Sequence, residues 1–211
     1  MAHAEQMYFF QNVKHFIPIY FKKKKVLEIG SLDVNGSVRV FFEDCDYTGL
    51  DIGPGKCVDI VCKGEDFSSV AGDYDVVVST EVFEHTENWD LIFLNMLRLM
   101  KPDGLLIFTC ASLGRPQHGT QFSFPDAAPH VSGTTDYYRN LTADDFRDAF
   151  KLDYWFSNHF FVEGFLFFVG LGRRCREFDN VMKNFKKAYE DYWYKTQRIG
   201  LSHKYVVTGK K

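Results

Sequence analysis

The sequence predicts an α/β fold in which a mostly parallel, seven-stranded sheet lies between layers of helices and ends in an antiparallel hairpin. Short apolar runs alternate with helical segments between residues 25 and 110. The run "YDVVVST" (74–80) is unbroken and rich in valine, as in a strand that is covered on both faces. Two further apolar runs meet at Glu163-Gly164, which predicts the terminal hairpin.

The elements can be predicted in chain order. Apolar residues recur at helical spacing in "EQMYFFQNVKHFI", and Pro18 ends this helix. Strands are predicted in "KVLEIG", "YTGLDI", "VDIVC", "YDVVVST" and "LLIFTC", and helices in "NGSVRVFFE", "NWDLIFLNMLRLM" and "LTADDFRDAF". Thr142 is the expected N-cap of the last helix. Strands separated by helices of this length indicate βαβ units and therefore a parallel sheet.

Charge divides the chain of 211 residues into two parts. Residues 1–172 carry 14 Lys/Arg and 24 Asp/Glu, a net charge of −10, whereas residues 173–211 carry 11 and 4, a net charge of +7. We predict one domain over 1–172 and a basic, aromatic, amphipathic helix and tail over 173–211. The acidic domain argues against a nucleic-acid partner. The tail could dock on its own domain, form a homodimer or bind an anionic membrane.

Other features of the sequence suggest a cytoplasmic protein. No apolar run approaches the length of a transmembrane helix, and the first residues lack the layout of a signal peptide. The five cysteines form no CxxC pair, so we expect them to be reduced. His118, His130 and Asp136 share no ligand-like spacing, and we therefore expect no metal site.

The stretch "VLEIGSLDVNGS" (26–37) reads as a buried strand, a glycine turn and a helix start. Gly30 has no side chain, so a ligand can lie against the backbone at the end of the strand. Glu28 is charged in an otherwise apolar strand, where it could pair with the loop backbone or with a cationic ligand. Leu32 occupies the position of the second glycine in a dinucleotide fingerprint. A tight turn without a ligand remains the alternative.

Acidic residues follow the next two strands as well. Asp51 comes 23 residues after Glu28, where a carboxylate can accept from both hydroxyls of a ribose. Asp66 could accept from the exocyclic amine of an adenine, between the apolar side chains of Ile52 and Phe67. A turn aspartate and a helix N-cap are the structural alternatives. Three carboxylates at one sheet edge suit an adenosine ligand without phosphates, and S-adenosylmethionine fits that description.

The chain resembles class I S-adenosylmethionine-dependent methyltransferases, in particular small bacterial and phage-type enzymes associated with glycan or surface-polysaccharide genes. Five stretches carry the resemblance, in order over residues 25–150: "VLEIGSLDVNGSVR", "YTGLDIGPGKCVDIVCKGEDF", "YDVVVSTEVFEH", "MLRLMKPDGLLIFTCAS" and "DYYRNLTADDF". The resemblance implies a Rossmann-like three-layer sandwich and S-adenosylmethionine as the cofactor. Leu32 departs from the wider family pattern.

The resemblance also implies roles for individual residues along the cofactor. Those expected at the methionine part are Glu28, Gly30 and Ser31. Asp51 is expected at the ribose and Asp66 at the adenine. Thr80 and Glu81 are expected to close over the sulfonium.

His85, in "STEVFEH", is the candidate general base or acceptor contact, because it follows the fourth strand beside the cofactor crevice. A packed structural histidine is the alternative. The long segment 111–140 has no period, and such loops are usually functional. Its candidate acceptor-binding residues are Arg115, His118, Asp136, Tyr137, Tyr138 and Arg139. Two phenols beside a carboxylate suit a sugar, and the two guanidinium groups suit an anion. The alternative is that these tyrosine and arginine residues only stabilise the turn that leads into the next helix.

These observations favour methyl transfer to a small-molecule or glycan acceptor, with a hydroxyl oxygen as the expected site. A nicotinamide-dependent oxidoreductase would use the same sheet, but the GxGxxG motif is missing and the crevice is acidic. A cofactor-binding scaffold without catalysis is the third alternative.

Overall fold

The computed structural model of the chain describes residues 4–150, 156–162 and 164–172. Its three α-helices are α1 (Ala4–Phe16), α2 (Trp89–Leu99) and α3 (Ala143–Phe150). Its strands are β1 (Lys25–Ile29), β2 (Asp46–Asp51), β3 (Ile60–Val61), β4 (Tyr74–Thr80), β5 (Met100–Ala111), β6 (Phe156–Val162) and β7 (Phe165–Leu171). Short 3-10 helices lie at Pro18–Tyr20, Val38–Phe41, Phe83–His85 and Pro125–Ala127.

The strands form one mixed sheet in the order β3-β2-β1-β4-β5-β7-β6. The first five strands of this order run parallel, while β7 is antiparallel to both β5 and β6. The α/β class and the terminal hairpin are therefore confirmed. Strand order reverses between β1 and β4, and ligands of such sheets bind outside the carboxyl ends of the strands at this switch point.

Hydrophobic cores cover both faces of the sheet. Leu27 and Ile29 of β1 belong to one core together with Phe93 of α2, whereas Val26 belongs to the other core together with Phe10 of α1. This alternation follows from the two-residue period of a strand. Each buried ring of this kind contributes roughly 1.5–3 kcal/mol. The resulting three layers hold the carboxyl ends of the parallel strands rigidly in place.

Two of the predicted elements are much shorter in the structure. The helix expected after the first loop is a single 3-10 turn, Val38–Phe41, whose N-cap Ser37 accepts a hydrogen bond from Arg39 N–H. The β-branched Val38 and Val40 disfavour a longer helix. The third strand has only two residues. The prediction of a full helix after the first loop was therefore wrong.

At the start of α3, the Asp145 side chain holds the backbone of Thr142, the residue expected as N-cap. The Asp145 carboxylate accepts from the backbone N–H of Thr142 at 2.8 Å and from its hydroxyl at 2.8 Å. This is the reciprocal half of a capping box, and it fixes the point at which the long loop enters the helix.

The predicted boundary after residue 172, and with it the basic helix, the tail and Cys175, lies outside the described residues. Among the cysteines of the described ranges, Cys45, Cys57, Cys62 and Cys110 are free thiols. No helix in the described part of the chain has both the length and the apolar composition that spanning a bilayer requires.

Candidate active site

A cavity of about 490 Å³ lies at the carboxyl ends of β1, β2 and β4. One side is formed by strand ends and the loops that follow them, and includes Gly30, Asp51 and Thr80. The opposite side is formed by the long loop, mainly by residues 127–131 and Tyr137. The cavity thus occupies the switch point of the sheet and is covered by the segment that the sequence marks as functional.

Gly30 lies where only glycine fits. Its φ is +82°, and a Cβ added there would lie 2.0 Å from Val82 Cγ2. The backbone N–H groups of Gly30 and Ser31 both donate to the carbonyl oxygen of Leu50, each at 2.8 Å. This turn brings the backbone of Gly30 to the cavity wall.

Asp51, at the end of β2, also lines the cavity. Its Oδ2 accepts a hydrogen bond from the backbone N–H of Leu32 at 3.1 Å. Leu32 therefore fulfils a backbone role at the position where a glycine was expected. Its side chain packs over Gly55, at which an added Cβ would lie 2.2 Å from Leu32 Cδ1. Beside Asp51, Ile52 lines the cavity and is 47% exposed.

Two residues expected at the methionine part do not line the cavity. Glu28 shares a strand face with Val26, opposite the face of Leu27 and Ile29, and its Oε2 accepts from the Tyr47 hydroxyl at 2.8 Å. Burial raises the pKa of Glu28 to about 7. The Ser31 side chain is also buried and lies next to Gly49.

The expected adenine contacts are also displaced. Asp66 is exposed and lies outside the cavity lining, while Phe67 packs against the core on the α2 face. Both of their backbone N–H groups donate to the carbonyl of Lys63, which forms a turn at this point. Glu65 takes the place at the cavity, and Asn88 Nδ2 donates to its Oε1 at 2.8 Å.

Thr80 and Glu81 stand at the end of β4, where both line the cavity and are buried. Glu81 has a φ of +53°, a strained conformation for a residue other than glycine, and such strain clusters at functional sites. Its Oε1 accepts from the Thr109 hydroxyl at 3.0 Å, and that hydroxyl accepts in turn from Gln6 Nε2 at 3.0 Å. Burial raises the pKa of Glu81.

Glu84 is a functional candidate that the sequence reasoning missed. It is fully buried in the 3-10 helix Phe83–His85, and its Oε1 accepts from Ala111 N–H at 3.1 Å. Burial and repulsion from Glu81 raise the pKa of Glu84 well above its ordinary value. The stretch "STEVFEH" was a usable signal, because two carboxyl groups and an imidazole follow the end of a buried strand within five residues.

His85 lines the cavity and stands in an aromatic group with His118 and Tyr138. Ring centroids are 5.1 Å apart for His85 and His118, and 5.6 Å apart for His85 and Tyr138. Burial, followed by the neighbouring His118, lowers the pKa of His85 to about 3. The imidazole is therefore neutral near pH 7 and binds a proton weakly.

Three charged residues proposed for the acceptor are engaged elsewhere. Asp136 Oδ1 accepts from the backbone N–H groups of Gln121 at 2.6 Å and Gly133 at 3.0 Å. Asp136 therefore joins two parts of the long loop. Arg139 forms an ion pair with Asp145. The guanidinium carbon of Arg115 lies 4.3 Å from the centroid of the Phe165 ring.

Aromatic residues of the long loop differ in their access to the cavity. Tyr137 lines it, whereas the Tyr138 hydroxyl donates to the carbonyl of Pro116 at 3.2 Å. His130 also lines the cavity, and its ring lies against Gly53. A Cβ at Gly53 would lie 2.5 Å from that ring, so glycine there permits the stacking.

Known proteins agree with this architecture. Residues 1–150 match the family model described as a methyltransferase domain. No curated protein sequence matches the chain. Among solved structures, the chain resembles a Burkholderia thailandensis 1,6-didemethyltoxoflavin-N1-methyltransferase with bound S-adenosylhomocysteine, at 10% identity and a TM-score of 0.55 over 77% of this chain and 76% of that one. It also resembles an S-adenosylmethionine-dependent methyltransferase from Mesorhizobium loti, at 12% identity and a TM-score of 0.55 over 81% and 98%.

Because their sequence identities to this chain are so low, these solved structures show only a shared fold. The family match, in contrast, spans most of the chain and includes every strand that borders the cavity. The residues at the switch point are compatible with S-adenosylmethionine, because Gly30 and the carboxylate-bearing Asp51 line the same cavity. The chain therefore belongs to the methyltransferase-domain family.

Proposed function

We propose that the protein transfers the methyl group of S-adenosylmethionine to a hydroxyl oxygen of a small polyhydroxylated molecule or glycan. The observation that carries this proposal is the composition of the cavity. Asp51 lies on its sheet side, Tyr137 and His130 lie on its loop side, and Glu81 and His85 also line it. Cofactor and acceptor would share this one space, with the methyl group between them.

On the cofactor side we assign Gly30 to the methionine part, Asp51 to the ribose, and Thr80 and Glu81 to the sulfonium. Asp51 Oδ1 accepts no hydrogen bond from the described residues, so it is available to a ribose hydroxyl. Glu65 replaces Asp66 in our assignment as the carboxylate at the adenine end, because only Glu65 faces the cavity. A buried carboxylate at position 81 would attract the positive sulfonium.

On the acceptor side the rings of Tyr137 and His130 offer flat apolar surfaces, and His85 offers a ring nitrogen. Such a wall suits a sugar, whose ring carries apolar C–H faces and polar edges. Methyl transfer demands mainly that the acceptor oxygen be aligned with the methyl carbon. A hydroxyl acceptor must also lose its proton, and a neutral His85 of low proton affinity would do this poorly without help.

The test is methyl transfer from S-adenosylmethionine carrying a carbon-13-labelled methyl group to a panel of nucleotide sugars and glycan fragments. Nuclear magnetic resonance of the product distinguishes an oxygen-bound methyl group from a nitrogen-bound one. We expect an oxygen-bound product. Transfer that occurs only to amines would contradict the hydroxyl proposal, and cofactor binding without any transfer would favour a non-catalytic scaffold.

A further inference from the structure

Three buried side chains converge beside the cavity. Glu84, His85 and His118 each offer one ligand atom, and these atoms all lie within 4.8 Å of one another. The exposed fractions of the three residues are 0%, 7% and 8%. Within the part of the chain that the structure describes, no other group of three histidine, cysteine or acidic residues comes this close. The residues come from two distant segments, the turn after β4 and the long loop.

Several polar atoms at this point have no partner. Glu84 Oε2 and His85 Nδ1 are buried without a hydrogen bond, and the same holds for Oε2 of the neighbouring Glu81. Most buried polar atoms in proteins have a hydrogen-bond partner, so three such atoms in adjacent side chains require an explanation. A proton shared between the Glu81 and Glu84 carboxyl groups would pair their two oxygen atoms, but it would leave His85 Nδ1 without a partner.

The hydrogen bonding of His118 also leaves one ring nitrogen with a free lone pair. Its Nδ1 lies 3.1 Å from the carbonyl oxygen of Pro116. A carbonyl only accepts, so Nδ1 carries the hydrogen and Nε2 holds the free lone pair. Metal-binding histidines commonly donate their second ring N–H to a backbone carbonyl in this way, which fixes the tautomer and the ring orientation.

We propose that Glu84, His85 and His118 bind a divalent first-row transition-metal ion, with the Glu81 carboxyl group beside it. Imidazole together with carboxylate suits ions such as Zn²⁺, Co²⁺, Fe²⁺ and Mn²⁺, whereas Mg²⁺ and Ca²⁺ prefer oxygen ligands throughout. Bonds of about 2.1 Å hold the ligands of a tetrahedral ion roughly 3.4 Å apart. Small side-chain rotations therefore close the set from the observed spacing.

The position of this site suggests what the ion does. His85 and Glu81 line the cavity, so an ion bound beside them would lie next to the acceptor. A metal ion lowers the pKa of a water molecule or hydroxyl group whose oxygen it binds. The acceptor oxygen then forms a bond to the methyl carbon while the carbon–sulfur bond breaks, the bonding pair stays on sulfur, and the hydroxyl proton passes to water. This role rests on the proposed function, but the existence of the site does not.

The test uses the full chain after removal of metal with a chelator. Co²⁺ is titrated in and followed by its visible absorption, and equilibrium dialysis gives the stoichiometry. We expect one Co²⁺ per chain, displaced by Zn²⁺ but not by a similar concentration of Mg²⁺. His118→Ala should bind Co²⁺ roughly 100-fold more weakly or worse, since the loss of a group that only hydrogen-bonds to a metal ligand already costs about 10–100-fold.

Two further variants complete the design. His15→Ala removes an exposed histidine of α1 and should leave Co²⁺ affinity unchanged. Glu84→Gln keeps an oxygen for Ala111 N–H and removes the charge, so it should weaken Co²⁺ binding even if His118→Ala fails to fold. Calorimetric binding of S-adenosylhomocysteine reports whether each variant is folded.

Absence of Co²⁺ binding, wild-type affinity in folded His118→Ala and Glu84→Gln, or displacement by Mg²⁺ would overturn the site. Methyl transfer is then measured with wild-type protein from which metal has been removed, before and after metal is added back. This comparison tests the role of the ion in the reaction. Unchanged transfer would overturn that role. Stoichiometric Co²⁺ binding without transfer to any hydroxyl would contradict the proposed function and leave the metal site standing.

Discussion

Asp51 is the side chain on which cofactor affinity should depend most strongly. Asp51→Ala removes Oδ1, which we assign to the ribose, and Oδ2, which accepts from Leu32 N–H at 3.1 Å. Hydrogen bonds to charged groups contribute about 1.5–3 kcal/mol each, and water replaces part of what is lost. We therefore expect the binding free energy to fall by about 2–4 kcal/mol, which corresponds to roughly 30- to 1000-fold weaker binding.

The assay is titration calorimetry with S-adenosylhomocysteine. Asp51→Asn retains an oxygen for Leu32 N–H and loses the charge, so its affinity should fall between those of the wild type and Asp51→Ala. Asp66→Ala is the matched control, because Asp66 is exposed outside the cavity; surface substitutions of this kind usually cost less than about 0.5 kcal/mol. Equal affinities in Asp51→Ala and the wild type, or an equally large loss in Asp66→Ala, would refute the assignment of the ribose to Asp51.

Three other predictions concern the turn, the opposite face of the sheet and the acceptor side. Gly30→Ala should weaken S-adenosylhomocysteine binding and lower the melting temperature, because its Cβ would meet Val82 Cγ2 at 2.0 Å; a variant of unchanged affinity would contradict this. The pKa of Glu28 is raised from about 4.5 to about 7 in the folded chain, so the folded state binds the extra proton and unfolding free energy should fall as pH rises between these values, by about 3 kcal/mol at most. Urea titrations at several pH values should show that Glu28→Gln lacks this part of the pH dependence. If the unfolding free energies of Glu28→Gln and the wild type changed with pH in parallel, the prediction would be wrong. His85→Ala should lower turnover by roughly 10- to 100-fold or more with cofactor affinity near that of the wild type, because it removes a proposed metal ligand that lines the cavity; normal turnover would make His85 a structural residue.

The fold was predictable because the periods of the apolar runs are strong and local. The alternation of strands and helices, the antiparallel pair of the last two strands and the start of a helix after Thr142 all depend on neighbouring residues. The full helix expected after Gly36 failed because β-branched residues and the short path to β2 limit it to one 3-10 turn. A local pattern indicates that a helix can start, but it does not determine how far tertiary packing lets it continue.

Side-chain direction was harder to predict than element type. Glu28 shares a strand face with Val26, and a reader of the sequence could have noted this two-residue period. Which face borders the cavity depends on how the crossover segments pack, and that is a property of the whole sheet. The prediction placed Asp66 at the adenine, whereas Glu65 is the residue that lines the cavity. Neighbouring residues in a turn point in different directions, and the sequence does not show which of the two faces the cavity.

Contacts between distant segments lay beyond the sequence entirely. His85 and His118 are 33 positions apart, and the intervening chain includes α2 and β5. Their proximity arises only when the long loop folds back over the end of β4. The partnerless atoms of Glu84 and His85 likewise become visible only when burial is known. For this reason a metal site was not expected from the sequence.

The most direct test of the central claim is a crystal structure of the protein with bound S-adenosylhomocysteine. We predict that both ribose hydroxyls lie within hydrogen-bonding distance of Asp51 and that the sulfur lies beside Thr80 and Glu81. The space in front of His85 and Tyr137 should remain open for an acceptor. A ribose that contacts other residues, or a cofactor that fills the space between His85 and Tyr137, would contradict the account.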